Sequence, residues 1–402
     1  CVCVCVCVHP AMRFFAFRKM LACGVCKFYG SPMWRDNTAM RHHYYTQPLP
    51  SALSFYAHHL PPPLHHASVL GTFVVEVVSP FLMWIPFVWP APYLAWMAMN
   101  GLNAAINLSG NYGFIGFLNT AENLACTDDR LWGTLLSAPP ATAAALPVRV
   151  ALLAPLLVYL ALSLLPLASS AKGTVNLNQL WVFRVVPLAQ RVALFNWLER
   201  VYRRQRPFRL VNYQGKFASM HTFRWEPLIE GSYDGLTWKP YRFRYKPNSA
   251  DQRPITMPLH LPRLDWRMWF LPLYARSGQE PPQWFHALLQ ALLEGRAEVL
   301  SLLAPPNPFP DCPPVYVRCS LQKFTFSPPK SDTWWRVSSL ERHTPMDITL
   351  KRRLTSADVQ RLGSDRRGSR AESVDVAGTE EDSGSEWEGG RKEGASSSAS
   401  RS

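Results

Sequence analysis

Apolar and polar positions divide the chain into three regimes. Residues 42–170 are very apolar, 210–345 are mixed and rich in aromatics, and 354–402 are polar. Within the first regime, Ala67–Trp89 is apolar for about one bilayer crossing, with Glu76 its single charge. Ala91–Leu118 has no charge at all, and Val150–Ala171 is charge-free but softened by Pro155 and Pro166. Asn111–Asp129 is shorter and more polar, a span or a re-entrant piece. Asn176–Arg200, with Arg184 and Arg191 in an apolar helical pattern, reads as a surface helix or a poor span. The pattern predicts a multi-pass α-helical membrane region over residues 42–200. A basic flank (1–41) precedes it and a basic linker (201–209) follows.

In the second regime the period changes. Asp234-Gly235, flanked by Tyr233 and Trp238, has the composition of a tight hairpin. Tyr241, Phe243 and Tyr245 alternate with Arg242, Arg244 and Lys246, so a strand here has an aromatic face and a cationic face. Pro258–Phe270 is broken by prolines and closes on Leu264–Phe270. Asp265 within it is a turn or cap residue, or a buried acceptor holding an Arg. Trp284, Phe285, Leu288, Leu289, Leu292 and Leu293 form a helical stripe stopped by Gly295, and a second short helix runs to about Leu303. Pro305–Pro310 is a rigid turn. Val315, Val317, Cys319 and Leu321 alternate as a strand, and the phase slips at Phe324 and Phe326, which suggests a bulge. Together these predict a β-rich, sandwich-like soluble domain with helices over 210–345. The Ser, Gly and acidic content of 346–402 predicts a disordered tail.

Composition narrows the function. At 402 residues there is room for two or three units, and the net charge is +14. The cations are scattered among aromatics and prolines, without a zinc, RNA-binding or helix-turn-helix signature. Contact with anionic lipid therefore explains them better than nucleic acid. Arg13, Arg18, Lys19, Lys27, Arg35 and Arg41 face one acid, Asp36, ahead of the apolar region. Residues 1–8 are an unbroken Cys-Val repeat, read as a mistranslated or truncated start, and no leader-peptide pattern is present in residues 1–30. Cys23 and Cys26 lack the context of a redox motif or the second pair of a zinc site. Cys312 and Cys319 could pair in an oxidising compartment. The pairs His42-His43, His58-His59 and His65-His66 put neighbouring rings on different faces, poor geometry for a metal, so they read as interfacial. No metal or cofactor site and no nucleophile–base pair is evident.

Two polar features lie within the apolar regime. Asn100, Asn103, Asn107 and Asn111 recur at helical spacing, a stripe that faces other helices because an unpaired amide in hydrocarbon is costly. Glu76 is an intramembrane acid, either a proton or ligand position or the partner of one of those asparagines.

Several motifs carry a resemblance. HHYYTQPLPSALSFYAHHLP, SGNYGF (Ser109–Phe114) and Asp128-Asp129 resemble the membrane part of the lipase maturation factor family. LVNYQGKF (Leu210–Phe217), IEGSYDGLTW, Tyr245–Pro247, LPRLDWRMWF, NPFP (Asn307–Pro310), VYVRC and Trp334-Trp335 resemble the same family's soluble domain, in the same order. The likeness covers about residues 40–336 and is closer to the second vertebrate type than to the first. It departs before Arg41, where upstream membrane segments are expected, and after Trp335.

The resemblance implies a multi-pass protein of the endoplasmic reticulum membrane. Its luminal domain would assist folding and assembly of secreted, dimeric lipases without being an enzyme. Its partners would be those lipases and the bilayer. With three spans, the positive-inside rule puts the basic flank in the cytosol and the domain in the lumen; with four, the rule conflicts with the family. On this reading Trp238, Tyr241, Trp266 and Trp269 are candidates for client contact, against plain core packing. Asp265 and Arg263 shape the segment, and Asp234 its turn. The competing reading is a membrane enzyme, because the membrane part is also faintly similar to the helical domain of vitamin K-dependent carboxylases. Glu76, His58 and His59 would then be acid–base groups converging on a pocket. A transporter would be expected to show internal repeats, and none appears outside residues 1–8.

Overall fold

Val2–Tyr29 forms one helix, α1, in a computed structural model that describes residues 2–85, 90–127, 214–257, 260–339 and 347–352, with short pieces between 157 and 212. At 1.5 Å per residue α1 is about 42 Å long. The basic flank of the sequence reading is thus largely a packed helix, and three of its cations point inward. Arg18, Lys19 and Lys27 are all buried. Arg18 Nη1 donates to the Asn212 carbonyl at 2.9 Å, Lys19 pairs with Glu122 and Lys27 with Glu76. These charges are not free to meet lipid headgroups, which removes them from the positive-inside count.

Short helices α2 (Pro32–Arg35), α3 (Ala39–Thr46) and α4 (Ala52–His58) follow. Helix α5 (Pro62–Phe73) continues through a π-helical turn, Val74–Val78, into α6 (Ser79–Leu82). The continuous stretch Pro62–Leu82 is the one helix among the described residues that is long and apolar enough to cross a membrane. The charge-free run Ala91–Leu118 is two helices rather than one span. Helix α7 is Ala91–Ser109 and α8 is Ile115–Asn123, with the backbone extended at Gly110 between them. Helix α8, inside the Asn111–Asp129 segment, has nine residues, too few to span. Helices α1, α6 and α7 close around Ala16, Met83, Ala95, Met99 and Cys126. Most of Val150–Ala171 and Asn176–Arg200 lies outside the described residues.

Among the described residues the C-terminal part holds one antiparallel sheet in place of the expected sandwich. Its strands are β1 (Trp225–Ser232), β2 (Lys239–Pro240), β3 (Tyr316–Phe326), β4 (Trp335–Ser339) and β5 (Ile348–Lys351), in the order β2-β1-β3-β4 with β5 also beside β3. Strand β1 runs along one side of β3, from Trp225↔Lys323 to Ser232↔Tyr316. On the other side β4 pairs with Gln322–Phe326 and β5 with Tyr316–Cys319. Residues 348–351, assigned from sequence to the tail, are therefore part of the sheet.

The second layer is helical. Helices α9 (Arg263–Met268), α10 (Leu271–Arg276), α11 (Gln283–Leu293) and α12 (Ala297–Leu300) follow β2. The stripe of α11 brings Phe285, Leu289 and Leu292 onto Ile229, Val317, Cys319 and Leu321. Gly295, at φ 65°, follows α11 as expected.

Three local readings change. The register of β3 runs unbroken against β1 from Tyr316 to Lys323 and against β4 from Gln322 to Phe326, so the slip at Phe324 is not a bulge. Val317, Cys319 and Leu321 fill the core under α11. Phe324 and Phe326, of opposite parity, point to the other face and pack with Tyr44, Tyr45, Phe55 and Trp335. One strand serves two cores. Second, the β1–β2 hairpin pairs Glu230↔Pro240 and Gly231↔Lys239, so a wide loop replaces the tight turn. Pro240, lacking an N–H, limits the ladder. Third, Tyr241 and Phe243 are buried and Arg242 and Arg244 exposed, but the alternation fails at Lys246, which is buried. Cys312 and Cys319 are buried free thiols and form no disulfide.

Candidate functional site

The densest polar contacts lie where the sheet meets the helices, around the segment Tyr45–Pro50 that leaves α3. Arg224, just before β1, is 1% exposed. Its Nη1 donates to the carbonyls of Tyr45 (3.0 Å) and Gln47, and its Nη2 to that of Pro48 at 2.9 Å. The same Nη2 lies 2.5 Å from Glu226 Oε1. Lys246 Nζ stands 3.4 Å from the other Glu226 oxygen, and the Trp335 ring lies 5.6 Å from the guanidinium. A planar fork of five donors suits such a site, where a chain turning out of a helix presents successive carbonyls. Burial pushes the Lys246 ammonium below its ordinary pKa, and Glu226 and Asp265 push back.

Other groups close the same junction. Trp269 Nε1 donates to the Thr46 carbonyl at 2.7 Å, and the Trp266 ring meets that of Tyr112 edge-on at 6.1 Å. Asn111 Nδ2 reaches the carbonyls of Pro50 and Ile255, and its Oδ1 accepts from the Met257 amide. Phe55 packs edge-on against Phe326 and Trp334. A second seam runs along residues 212–218. Besides Arg18 on Asn212, Trp34 Nε1 donates to the Phe217 carbonyl, the Ser31 amide to that of Ala218 and Lys216 Nζ to Asn119 Oδ1. The His/Tyr/Pro stretch read as interfacial is thus, in large part, the strap that holds the sheet.

The predicted residues fall in different places. Tyr241 is in the core, its ring against Phe309, and Trp266 and Trp269 face the helical region. Tyr241 is buried, while Trp266 and Trp269 are half-buried. Arg263 is exposed and does not hold the segment. Asp265, 2% exposed, does. It is a buried acceptor, but of the Tyr245 and Lys246 backbone amides at 2.8 and 3.0 Å rather than of an Arg. Burial raises its pKa while those amides pull it back. Stability tied to this proton is therefore gained, not lost, as pH falls through the raised pKa. Asp265→Ala leaves two buried amides unpaired and is expected to cost about 2–3 kcal/mol in chemical unfolding at neutral pH. Asp265→Asn, which keeps an acceptor oxygen, should lose less than half of that. An equal loss for both would mean that the charge itself matters.

Trp238 is half-buried, with the Arg318 guanidinium 4.0 Å from its ring and Arg318 paired to Glu230. Asp234 organises the loop beside it. Its Oδ1 accepts from the Leu236 and Thr237 amides and from Ser232 Oγ, all at 2.8 Å. Gly235 supplies the left-handed turn at φ 76°. Burial alone would raise the Asp234 pKa, but the Thr237 and Leu236 amides outweigh it and bring it down to about 2. The loop's extra stability is present above about pH 4 and is lost as pH falls through about 2. Amide exchange at Leu236 and Thr237 should stay slow to about pH 4 and speed up, relative to the sheet, only below it.

In the helical part the stripe holds for three asparagines. Asn103 Nδ2 donates to the Gly116 carbonyl and Thr120 Oγ1, Asn107 donates to Asn103 and Asn100 Oδ1 accepts from Asn123, so α7 is bonded to α8. Asn111 lies past the end of α7 and acts in the junction instead. Glu76 sits in the π-helical turn and takes Lys27 of α1, at 2.5 Å, where an asparagine partner was expected. His58 packs on Tyr45, His59 and Phe326, and His59 Nδ1 bonds the Phe55 carbonyl. Glu76 and these histidines do not come together. Among the described residues no cluster of His, Cys, Asp and Glu could hold a metal ion. Arg224 went unnoticed in the sequence. Its available signal was weak, an Arg two residues before Glu226 at the start of an alternating apolar run.

The profile of the lipase maturation factor transmembrane domain matches residues 4–134, and that of the lipase maturation factor C-terminal domain matches 210–345. Lipase maturation factor 2 of Mus musculus is 28% identical over 83% of this chain and 59% of its own length. The Homo sapiens protein of the same name is 29% identical over the same shares. Lipase maturation factor 1 of Bos taurus is 31% identical over 80% of this chain and 58% of its own. The chain thus spans under two thirds of the length of these curated relatives. No solved structure matches it significantly.

Proposed function

The chain belongs to the lipase maturation factor family, and on that premise we propose that it is a non-enzymatic, multi-pass helper of the endoplasmic reticulum membrane that binds secreted lipases on the luminal side. The observation that carries this reading is the junction. The parts matching the family's transmembrane and C-terminal domains are sewn together through Arg224, Trp269, Asn111 and the 212–218 seam. A helper that must hold a client near the bilayer gains from such a fixed platform. Apolar residues left exposed on the bundle, among them Leu70, Val74, Val78 and Phe81 on α5–α6 and Leu94, Met97 and Leu108 on α7, suit burial in lipid. On this reading the chain divides into a membrane region to residue 200, a linker to 209, and a luminal domain that takes in strand β5 (Ile348–Lys351) ahead of the tail.

Client contact shifts away from Tyr241, Trp266 and Trp269. The loop carrying Trp238 also carries Leu236, 86% exposed and held out by the Asp234 bonds, and we assign contact to these two. The enzyme reading has no support in the geometry, since Glu76 engages Lys27 while His58 and His59 are packed among aromatics.

The test is co-expression with a dimeric secreted lipase in cells lacking the endogenous factor, reading lipase activity per mole secreted. A rise with the intact protein, reduced by Leu236→Ser without loss of membrane-bound protein, is expected. No rise with any lipase, from a stable and membrane-bound protein, would overturn the role.

A further inference from the structure

A groove of about 240 Å³ opens between Tyr241–Arg244 and Leu300–Pro308. Its apolar surface comes from Tyr241, Leu300, Leu303, Pro305 and Pro308, and its polar lining includes Arg242 and Arg244. Both arginines are exposed. Arg244 Nε and Nη2 donate to the carbonyls of Leu303 and Ser301 at 3.0 and 2.5 Å, which fixes the plane of its guanidinium. Among the described residues neither arginine forms an ion pair with a carboxylate, and Asp251 is only a weak electrostatic neighbour of Arg242.

The walls are already satisfied. The Ala304 amide donates to the Arg242 carbonyl, Phe243 bridges to Leu303, and the Phe243 amide donates to Asn248. This backbone offers no free edge for strand addition, so recognition here works through side chains. The volume is below the roughly 300–1,000 Å³ of small-molecule sites and suits one or two side chains. The groove also borders the assigned contact loop, because Phe309 packs against both Tyr233 and Tyr241.

We propose that this groove receives an extended segment of the client polypeptide in which an apolar side chain is followed by carboxylates, the apolar group seated on Leu300, Leu303 and Pro308 and the acid meeting Arg242. The inference rests on the client-binding reading above and specifies the chemistry the client must present. Two guanidiniums without a carboxylate partner among the described residues, beside an apolar floor, select for that combination, since each charge-assisted contact adds affinity that a neutral segment lacks.

The probe is a fluorescent peptide, Gly-Ser-Leu-Asp-Glu-Ser-Gly, titrated by anisotropy against the detergent-solubilised full chain. Its counterpart carries Lys-Lys in place of Asp-Glu. The acidic peptide is expected to bind at least about tenfold more tightly, a difference that shrinks with added salt. Arg242→Glu should abolish the preference with an unchanged unfolding midpoint, and Ser301→Phe at the groove's lip should block both peptides. Equal binding of the two peptides, or a preference that survives Arg242→Glu, would overturn the proposal. Co-expression separates this from the family role. Lipase activity that rises equally with the intact protein and with Arg242→Glu removes the groove and leaves the role standing. No rise with the intact protein removes the role.

Discussion

Arg224→Ala is expected to destabilise the protein by about 3–5 kcal/mol, the range for removing one partner of a buried ion pair. Three carbonyls, of Tyr45, Gln47 and Pro48, lose their donor, and Glu226 keeps only Lys246 at 3.4 Å. Water cannot easily replace the guanidinium at a site 1% exposed. Arg224→Lys should recover little, because an ammonium is a point donor and cannot serve three carbonyls and a carboxylate from one plane. Thermal unfolding of the full chain in detergent reads the loss. Hydrogen exchange should show it first at residues 45–47, where the sheet releases its strap. A loss below about 1 kcal/mol would mean that the aromatic contacts hold the junction without the clamp.

Glu76→Ala is expected to be comparably costly, about 3–5 kcal/mol, because it leaves the Lys27 ammonium buried without its carboxylate. Two backbone carbonyls, of Cys23 and Lys216, remain as acceptors, and they compensate only in part for a full charge. The informative control is the pair Lys27→Met with Glu76→Leu. Removing both charges together should restore most of the stability, since a buried pair is often replaceable by apolar residues of similar size. If the double variant is stable but fails to support lipase secretion, the pair does more than hold α1 to α5–α6. If the double variant is as damaged as Glu76→Ala, the geometry of the π-helical turn, rather than the charge, is what Glu76 maintains.

The sequence was legible where a local rule operates. The 3.6-residue stripe of α11, the alternation of Val317, Cys319 and Leu321, and the inward asparagines on α7 all follow from periodicity. The family likeness was legible from motif order. What the sequence concealed involves partners far apart in the chain. Arg224 meets carbonyls 176–179 positions away, and one Arg among scattered cations carries no mark of that role. The cations of α1 looked like a solvated flank because their partners, Glu76, Glu122 and Asn212, lie in other elements. The slip at Phe324 looked like a bulge because a change of buried face and an inserted residue produce the same apolar pattern; the unbroken pairing with β1 and then β4 separates them. Trp266 and Trp269 read from the sequence as candidates for client contact or for core packing, and what the sequence did not reveal is that their neighbours include Tyr112 and Thr46, far away in the chain.

The most direct test of the whole account compares the intact protein with Arg224→Ala in cells lacking the endogenous factor, at matched levels in the membrane. The quantity is the activity per mole of a co-expressed dimeric secreted lipase. A clear rise is expected with the intact protein and little or none with Arg224→Ala, if the proposed client platform works only when fixed to the bundle. A full rise with Arg224→Ala whose junction is measurably open, or no rise with the intact protein, would contradict it.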